Sequence, residues 1–386
     1  MALRLSTRHE WVLQSEIRNM SIECDRVGGI NLSQGVCDTE VPLEVREGAK
    51  RAIEEGMNIY TRYDGIDELR EAIAWKQKKF YGLDVDAERE IVVSAGATGA
   101  LYCACLALLD PGDEVILFEP FYGYHLSTVV ATLAVPRFVK TEPPNWRFTE
   151  ESLEACVTPR TRAIMVNTPA NPTGKVLTRA ELETIARIAV RHDLFVLTDE
   201  IYEHFLYDGR THVTPASLPG MAGRTITISG FSKTFSITGW RIGYCICNSR
   251  WAQTIGYFND LVYVCAPAPL QAGVARGVRA LGTDYYRKIA EEYRRKRDRL
   301  CAVLAGAGLA PYVPEGAYYV LADMSRLPGA NSKERAMELL RRTGVAAVPG
   351  EAFFNGTGGE NLARFCFAKK DEDLEEACRR IERLIR

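Results

Sequence analysis

Apolar residues in the middle of the chain come in short unbroken runs. They are Ile91-Val92-Val93-Ser94, Glu114-Val115-Ile116-Leu117-Phe118, Ala163-Ile164-Met165-Val166-Asn167, Leu194-Phe195-Val196-Leu197-Thr198-Asp199, Thr225-Ile226-Thr227-Ile228-Ser229 and Arg241-Ile242-Gly243-Tyr244-Cys245. A strand with one wet face alternates apolar and polar residues. A run without alternation predicts a strand covered by helices on both faces. The stretches between these runs read as amphipathic helices. Thr178 and Glu181 form a capping box ahead of Leu182 to Val190, and Asp67 opens a helix that ends near Gly82. Strands alternating with helices predict a mainly parallel, doubly wound α/β sheet.

The C-terminal part has a different pattern. A long charged helix is predicted from Asp284 to Leu304, then a strand at Tyr318-Tyr319-Val320-Leu321 and a helix from Lys333 to Arg342. A strand near Val345, another at Arg364-Phe365-Cys366-Phe367 and a helix from Asp371 follow. This is the pattern of a smaller α+β domain, and Pro267, Pro269 and Gly282 mark the approach to it. The length of 386 residues exceeds what one hydrophobic core usually supports, so two domains are expected.

Composition removes several classes of function. Hydrophobic residues make up 47% and charged residues 25%, as in ordinary globular proteins. A net charge of −2 favours neither nucleic acid nor an anionic membrane surface. No apolar run approaches the roughly 20 residues of a membrane helix, and Met1 to Glu10 lacks the apolar stretch of a signal peptide. The 11 cysteines include the pairs Cys103/Cys105 and Cys245/Cys247 but no C-x-x-C, and no histidine lies close to them in sequence. Reduced thiols in a cytoplasmic protein are expected, with no metal site.

Polar motifs fall just after the predicted strands, where open α/β sheets bind ligands. Lys233 sits in Ser229-Gly230-Phe231-Ser232-Lys233-Thr234-Phe235, and Arg241 follows one short turn later. A lysine among small residues with a second cation nearby suits a Schiff base with a phosphorylated aldehyde. Ser94-Ala95-Gly96-Ala97-Thr98-Gly99 precedes a helix and could cradle a phosphate on free amides. Asn171, fixed by Pro172, could hydrogen-bond a phenolic oxygen, and Tyr202 could reach the same atom. Asp199 ends an apolar run and needs a cationic partner such as a protonated pyridine nitrogen. Tyr122 could stack on a flat ring. Taken singly, each motif has an ordinary structural use as a turn, a cap or core packing.

In order and spacing, these segments resemble the fold-type I pyridoxal-phosphate enzymes of the class I/II aminotransferase family. The resemblance begins at Ile30-Asn31-Leu32-Ser33-Gln34-Gly35, continues through Tyr60-Thr61-Arg62-Tyr63-Asp64-Gly65 with Leu69-Arg70, and ends at Arg364. It implies a large pyridoxal-phosphate domain over residues 41–280, with a mainly parallel seven-stranded sheet sandwiched by helices. A smaller α+β domain would combine residues 1–40 and 281–386.

The resemblance also implies roles. Lys233 matches the Schiff-base lysine, and Asp199 the partner of the pyridine nitrogen. Asn171 and Tyr202 match the partners of the phenolic oxygen, and Tyr122 the stacking aromatic. Gly96, Ala97, Thr98, Arg241 and, as an addition, Ser232 match the phosphate site. Tyr60 matches a tyrosine that reaches the cofactor of a second subunit, which implies a homodimer. Gly35, Asn171 and Arg364 match positions around the substrate α-carboxylate. The sequence departs from the family pattern at Gly230, where many members carry serine, and at Val36-Cys37-Asp38, where a proline is frequent.

The implied reaction moves an amino group between an L-amino acid and a 2-oxo acid in ping-pong fashion. Lys233, its charge disfavoured by burial and cationic neighbours, would move the Cα proton, and Arg364 would hold the α-carboxylate as a fork. The motifs leave open β-elimination by a carbon–sulfur lyase, or another biosynthetic step at the same site. A nicotinamide dehydrogenase lacks its G-x-G-x-x-G here. A regulator with an aminotransferase-like sensor would need more chain before residue 30 and a basic patch. No second arginine for a side-chain carboxylate stands out, whereas Tyr122, Tyr124 and Trp11 would suit an apolar or aromatic side chain.

Overall fold

The computed structural model describes residues 3–10 and 14–385, so Trp11 lies outside the described residues. At its centre is a sheet of seven strands. These are β1 (Ile91–Ala95), β2 (Glu114–Glu119), β3 (Val135–Lys140), β4 (Thr161–Asn167), β5 (Phe195–Asp199), β6 (Thr225–Gly230) and β7 (Ile242–Ile246). Their spatial order is β1-β7-β6-β5-β4-β2-β3. From β6 to β3 every pairing is parallel, whereas β7 pairs antiparallel with both β6 and β1.

The inner strands are buried along almost their whole length, as the unalternated apolar runs require. Edge strand β3, Val135-Pro136-Arg137-Phe138-Val139-Lys140, is the strand the hydrophobic pattern did not reveal. It carries a proline and charged residues, which an edge tolerates and a central strand does not.

Helices cover the sheet. The helix Arg179–Arg191 starts with the expected capping box: Glu181 N–H donates to Thr178 Oγ1 at 3.2 Å, and Thr178 N–H donates to Glu181 Oε2 at 2.8 Å. The helix Asp67–Tyr81 ends at Gly82, whose φ of +70° is the left-handed stop. Its cap differs from expectation. Ile66 is the capping residue, and Asp67 is the first helical residue, paired with the buried Arg70.

A second sheet of four strands lies in the C-terminal part. Tyr319–Asp323 pairs antiparallel with Leu362–Cys366 on one side and Ala310–Tyr312 on the other, and Val348–Pro349 borders Leu362–Cys366. Ile30–Asn31 pairs in parallel with Val345–Ala346, which ties the N-terminal segment to this part of the chain. Helices Thr283–Gly306, Ser332–Thr343 and Asp371–Glu382 pack around it, burying Leu300, Leu339, Phe365, Leu374 and Ile381 together with Met20, Cys24 and Leu32.

Candidate active site

The carboxyl ends of β1, β5 and β6 and the start of β7 share one edge of the central sheet, because β7 runs against its neighbours. At this edge Gly96, with φ +78°, opens the helix Gly96–Leu108. The turn sits tightly on β7, and a Cβ on Gly243 would strike the backbone of Gly96 and Ala97. Gly243 in turn lies opposite Gly230 on β6, where a Cβ would come within 2.9 Å of the Gly243 Cα. This explains glycine at position 230: a side chain there would displace β7, against which the turn rests. Ala97 and Thr98 line the cavity at the helix start, where free amides and the dipole favour an anion.

The connection from β6 to β7, residues 231–241, carries both cations. Phe231 and Phe235 are buried and stack at 5.5 Å between centroids, anchoring the loop. Arg241, with φ +59°, donates to the Thr238 carbonyl at 3.0 Å and pairs with no carboxylate among the described residues. Lys233 Nζ donates to the Gly35 carbonyl at 3.0 Å and stands 5.7 Å from the centre of the Tyr318 ring. Burial pushes the Lys233 ammonium below the ordinary lysine range; Arg241 works in the same direction, while Cys37 and Cys366 oppose it. Gly35 is held from the other side, since a Cβ there would overlap the Tyr319 hydroxyl.

Asp199 ends β5 with its carboxylate buried. Its Oδ2 lies 2.9 Å from His125 Nε2, and its Oδ1 accepts from Ile201 N–H at 3.2 Å. Asn167 Nδ2 donates to the Asp199 carbonyl at 2.9 Å, and Asn167 Oδ1 accepts from Asn171 N–H at 2.8 Å, so both motifs are locked together. Tyr122 lines the same cavity and packs edge-on against His125 at 5.2 Å. The hydroxyls of Tyr202 and Tyr319 are 2.9 Å apart.

Arg364 lies on the strand Leu362–Cys366 and is 0% exposed. Its Nη1 donates to Asn171 Oδ1 at 2.8 Å and its Nη2 to the Ser33 carbonyl at 2.5 Å, while Nε has no partner among the described residues. Tyr319 and Phe353 lie against the guanidinium, at 4.2 and 5.1 Å from its carbon. No carboxylate pairs with it among the described residues. A buried cation without an anion is costly, so the site is built for an anionic ligand.

These groups surround one cavity of about 620 Å³, and Ser232 lies on its wall. Tyr60 is the exception: it is 78% exposed and lies away from the cavity of its own chain. Three features escaped sequence reasoning. His125 could have been found, because it lies three residues after Tyr122 across a helix start and so on the same side. Tyr319 read only as a strand residue. Arg18, on the helix Glu16–Arg26, lines the cavity and was not singled out in the sequence.

The donor set suits a flat, phosphorylated aldehyde with a basic ring nitrogen. It offers an amine whose charged form burial disfavours, a buried carboxylate fixed by histidine, an aromatic wall, and a helix start beside an arginine with no carboxylate partner among the described residues. Residues 27–381 match the family described as Aminotransferase class I and II. A protein of Mycobacterium tuberculosis named "Probable N-succinyldiaminopimelate aminotransferase DapC" is 39% identical over 94% of each chain. Aromatic-amino-acid aminotransferase 2 of Thermococcus litoralis is 36% identical over 100% of this chain and 99% of its own. The solved structure of N-succinyldiaminopimelate aminotransferase from Mycobacterium tuberculosis superposes with a TM-score of 0.95 at 36% identity, covering 99% of this chain and 100% of that one. These relatives are named for amino transfer, which favours that reaction over β-elimination. The chain belongs to the class I and II aminotransferases of fold type I, and it is a pyridoxal-phosphate-dependent enzyme that moves an amino group between an amino acid and a 2-oxo acid.

Proposed function

We propose a division of labour within the cavity. Gly96, Ala97, Thr98, Ser232 and Arg241 hold the cofactor phosphate, and Tyr122 covers one face of the ring. Asp199 pairs with the ring nitrogen, Asn171 and Tyr202 approach the phenolic oxygen, and Lys233 is the amine to which the aldehyde is attached. Arg364 takes the substrate α-carboxylate beside Gly35 and Asn171. When bound, pyridoxal phosphate supplies an electron sink for the pair left at Cα as its proton departs.

The chain's residues provide the rest. His125 fixes the Asp199 carboxylate, which keeps the ring nitrogen charged. Arg364 orients the substrate so that its Cα–H bond stands toward Lys233. Lys233, whose charged form burial disfavours, would take that proton from Cα and return it at the cofactor's aldehyde carbon. The observation that carries this reading is Arg364: fully buried, hydrogen-bonded to Asn171, and with no carboxylate partner among the described residues. The test is a panel of amino acids mixed with the holoenzyme. Absorbance of the lysine-linked cofactor should fall on adding an amino acid and return on adding a 2-oxo acid. No response to any amino acid, or borohydride fixation of the cofactor to an amine other than Lys233, would overturn the reading.

The same reading extends to assembly and location. The exposed Ile59, Tyr60, Tyr257 and Leu261 supply apolar surface for a homodimer in which Tyr60 reaches the phosphate of the second copy. Sedimentation equilibrium tests it. The division into residues 41–280 and a smaller unit from 1–40 with 281–386 follows the separation of the two larger sheets. A cytoplasmic location fits cysteines that are all free among the described residues.

A further inference from the structure

The two aromatic rings that lie against the Arg364 guanidinium are held in different ways. Tyr319 belongs to the strand Tyr319–Asp323, and its hydroxyl meets that of Tyr202. Phe353 closes the short turn Gly350–Phe353, and the chain beyond it is soft. The segment Asn355-Gly356-Thr357-Gly358-Gly359 contains three glycines, whose φ values of +78°, +144° and +74° suit glycine and few other residues. Such a segment gives up much conformational freedom when ordered, so it does not hold a neighbouring ring by itself.

Two pins reach the turn from the end of β2. Phe121 N–H donates to the Phe353 carbonyl at 2.9 Å, and Asn355 N–H donates to Glu119 Oε1. Glu119 is the last residue of β2 and stands three residues before Tyr122. Its own backbone is fixed, because its carbonyl accepts from Thr141 N–H and Oγ1, each at 2.8 Å. The Glu119 carboxylate is buried, pairs with no lysine, arginine or histidine among the described residues, and accepts one hydrogen bond there, from the Asn355 amide. Burying a carboxylate without a cation is costly, and an ordinary packing role does not call for it. A charged acceptor does hold a single amide more firmly than a neutral one.

We propose that Glu119 is a positioning residue for substrate binding: it latches the turn that carries Phe353, and Phe353 holds the plane of the Arg364 guanidinium. The inference rests on the assignment of Arg364 to the α-carboxylate. A planar guanidinium grips a carboxylate with two prongs only when that plane is aimed at it. Phe353 stands 5.1 Å from the guanidinium carbon, so a turn that drifts lets the fork tilt. The latch also joins the substrate side of the cavity to the segment that carries Tyr122 on the cofactor side. Glu119 acts through the turn and touches neither ligand, so its loss should weaken every carboxylate substrate alike.

The test compares the holoenzymes of the wild type, Glu119→Ala, Glu119→Gln and Asn355→Ala. In Glu119→Ala, KM should rise about tenfold for each amino acid and 2-oxo acid that reacts, the scale of one lost buried hydrogen bond. At the same time kcat should stay within about threefold, as for a loss of binding that ground state and transition state share. Calorimetric binding of butyrate, a carboxylate that does not react, should weaken by the same factor. The cofactor dissociation constant should not change, which also shows that the variant is folded. Glu119→Gln keeps an acceptor oxygen and should recover most of the loss. Asn355→Ala keeps the amide N–H and should behave as the wild type. Unchanged KM and butyrate binding in Glu119→Ala overturn the proposal, as does a loss confined to kcat or a glutamine variant no better than alanine. Arg364→Ala separates the two assignments. If it weakens butyrate binding while Glu119→Ala does not, the latch alone is wrong; if it leaves butyrate binding unchanged, the α-carboxylate assignment falls and the latch with it.

Discussion

The imidazole Nε2 of His125 lies 2.9 Å from Oδ2 of Asp199, with both side chains buried, so the carboxylate meets its ligand in a fixed orientation. Removing the imidazole frees Asp199 to rotate without removing its charge. For His125→Ala, kcat should fall about tenfold or more, as for other groups that orient a ligating residue. Cofactor should be retained with a shifted absorbance maximum. Steady-state kinetics and the spectrum of the purified variant check this, and an unaltered spectrum with wild-type kcat would remove His125 from the site.

Lys233 should be the group whose loss ends the reaction. Lys233→Ala should give no lysine-linked absorbance and essentially no turnover. The depressed ammonium also gives a pH signature. An amine attacks an aldehyde only when neutral, so cofactor loading of the apoenzyme should speed up as pH rises through the Lys233 pKa. That midpoint should lie below the ordinary value of about 10.4. Stopped-flow loading rates across pH measure it, and a midpoint at or above the ordinary value contradicts the burial argument.

Arg364→Ala should raise KM for every amino acid tested, because the fork and its orientation are lost together. A rise of about a hundredfold corresponds to a charged hydrogen-bonded contact of about 3 kcal/mol. Arg364→Lys should recover little, since one ammonium cannot donate to Asn171, Ser33 and a carboxylate in the same geometry. Uniform recovery by lysine would show that charge alone matters.

Gly243→Ala should weaken cofactor binding rather than abolish folding. The added methyl group presses on the backbone of Gly96 and Ala97, and overpacking of this kind costs about 1–3 kcal/mol. The cofactor dissociation constant, from titration of apoenzyme, should rise about tenfold. An unchanged constant would mean that the turn binds no phosphate.

Lys76 and Glu203 form a buried ion pair at 2.6 Å behind the site, with the hydroxyls of Tyr81 and Ser229 donating to Glu203 and Tyr244 also held by Lys76. Burial pushes the Glu203 carboxyl up, but Lys76, His204 and His212 outweigh it and hold it below the ordinary range. Burial likewise works against the Lys76 ammonium, and Glu203 more than offsets it, raising Lys76. The pair's contribution is therefore complete between the two unfolded values, about 4.3 and 10.4. It is lost as acid protonates Glu203 or alkali neutralises Lys76. Lys76→Met should destabilise by about 3–5 kcal/mol, and Lys76→Met with Glu203→Leu by much less. Denaturant unfolding of both variants is the measurement.

Much of this was legible in the sequence because burial on both faces writes itself as unbroken apolar runs. The inner strands, the capping box at Thr178 and the terminal helices follow from period and caps. Strand β3 did not, because an edge strand with Pro136 and Arg137 lacks that imprint. The placement of Lys233, Asp199, Tyr122, Asn171 and Arg241 on one cavity followed from motif order. Contacts made through folding alone did not. Tyr319 meets Tyr202 across 117 positions, and Arg364 meets Asn171 across 193, so no local pattern announces either. Arg18 was hidden for the same reason: only the packing of its helix against Ser33 brings it to the cavity.

The reversed direction of β7 has a mechanical result. Lys233 and Arg241 belong to a single hairpin connection between strands that are direct neighbours, so the spacing of the amine and the guanidinium is a local property. Arg364 is mounted elsewhere, on the four-stranded sheet. In the proposed assignment, one loop grips the coenzyme's amine and phosphate and a separate sheet grips the substrate carboxylate, the two meeting where Arg364 donates to Asn171. A catalyst that keeps its amino-bearing half between two visitors needs the first of these grips to outlast the second.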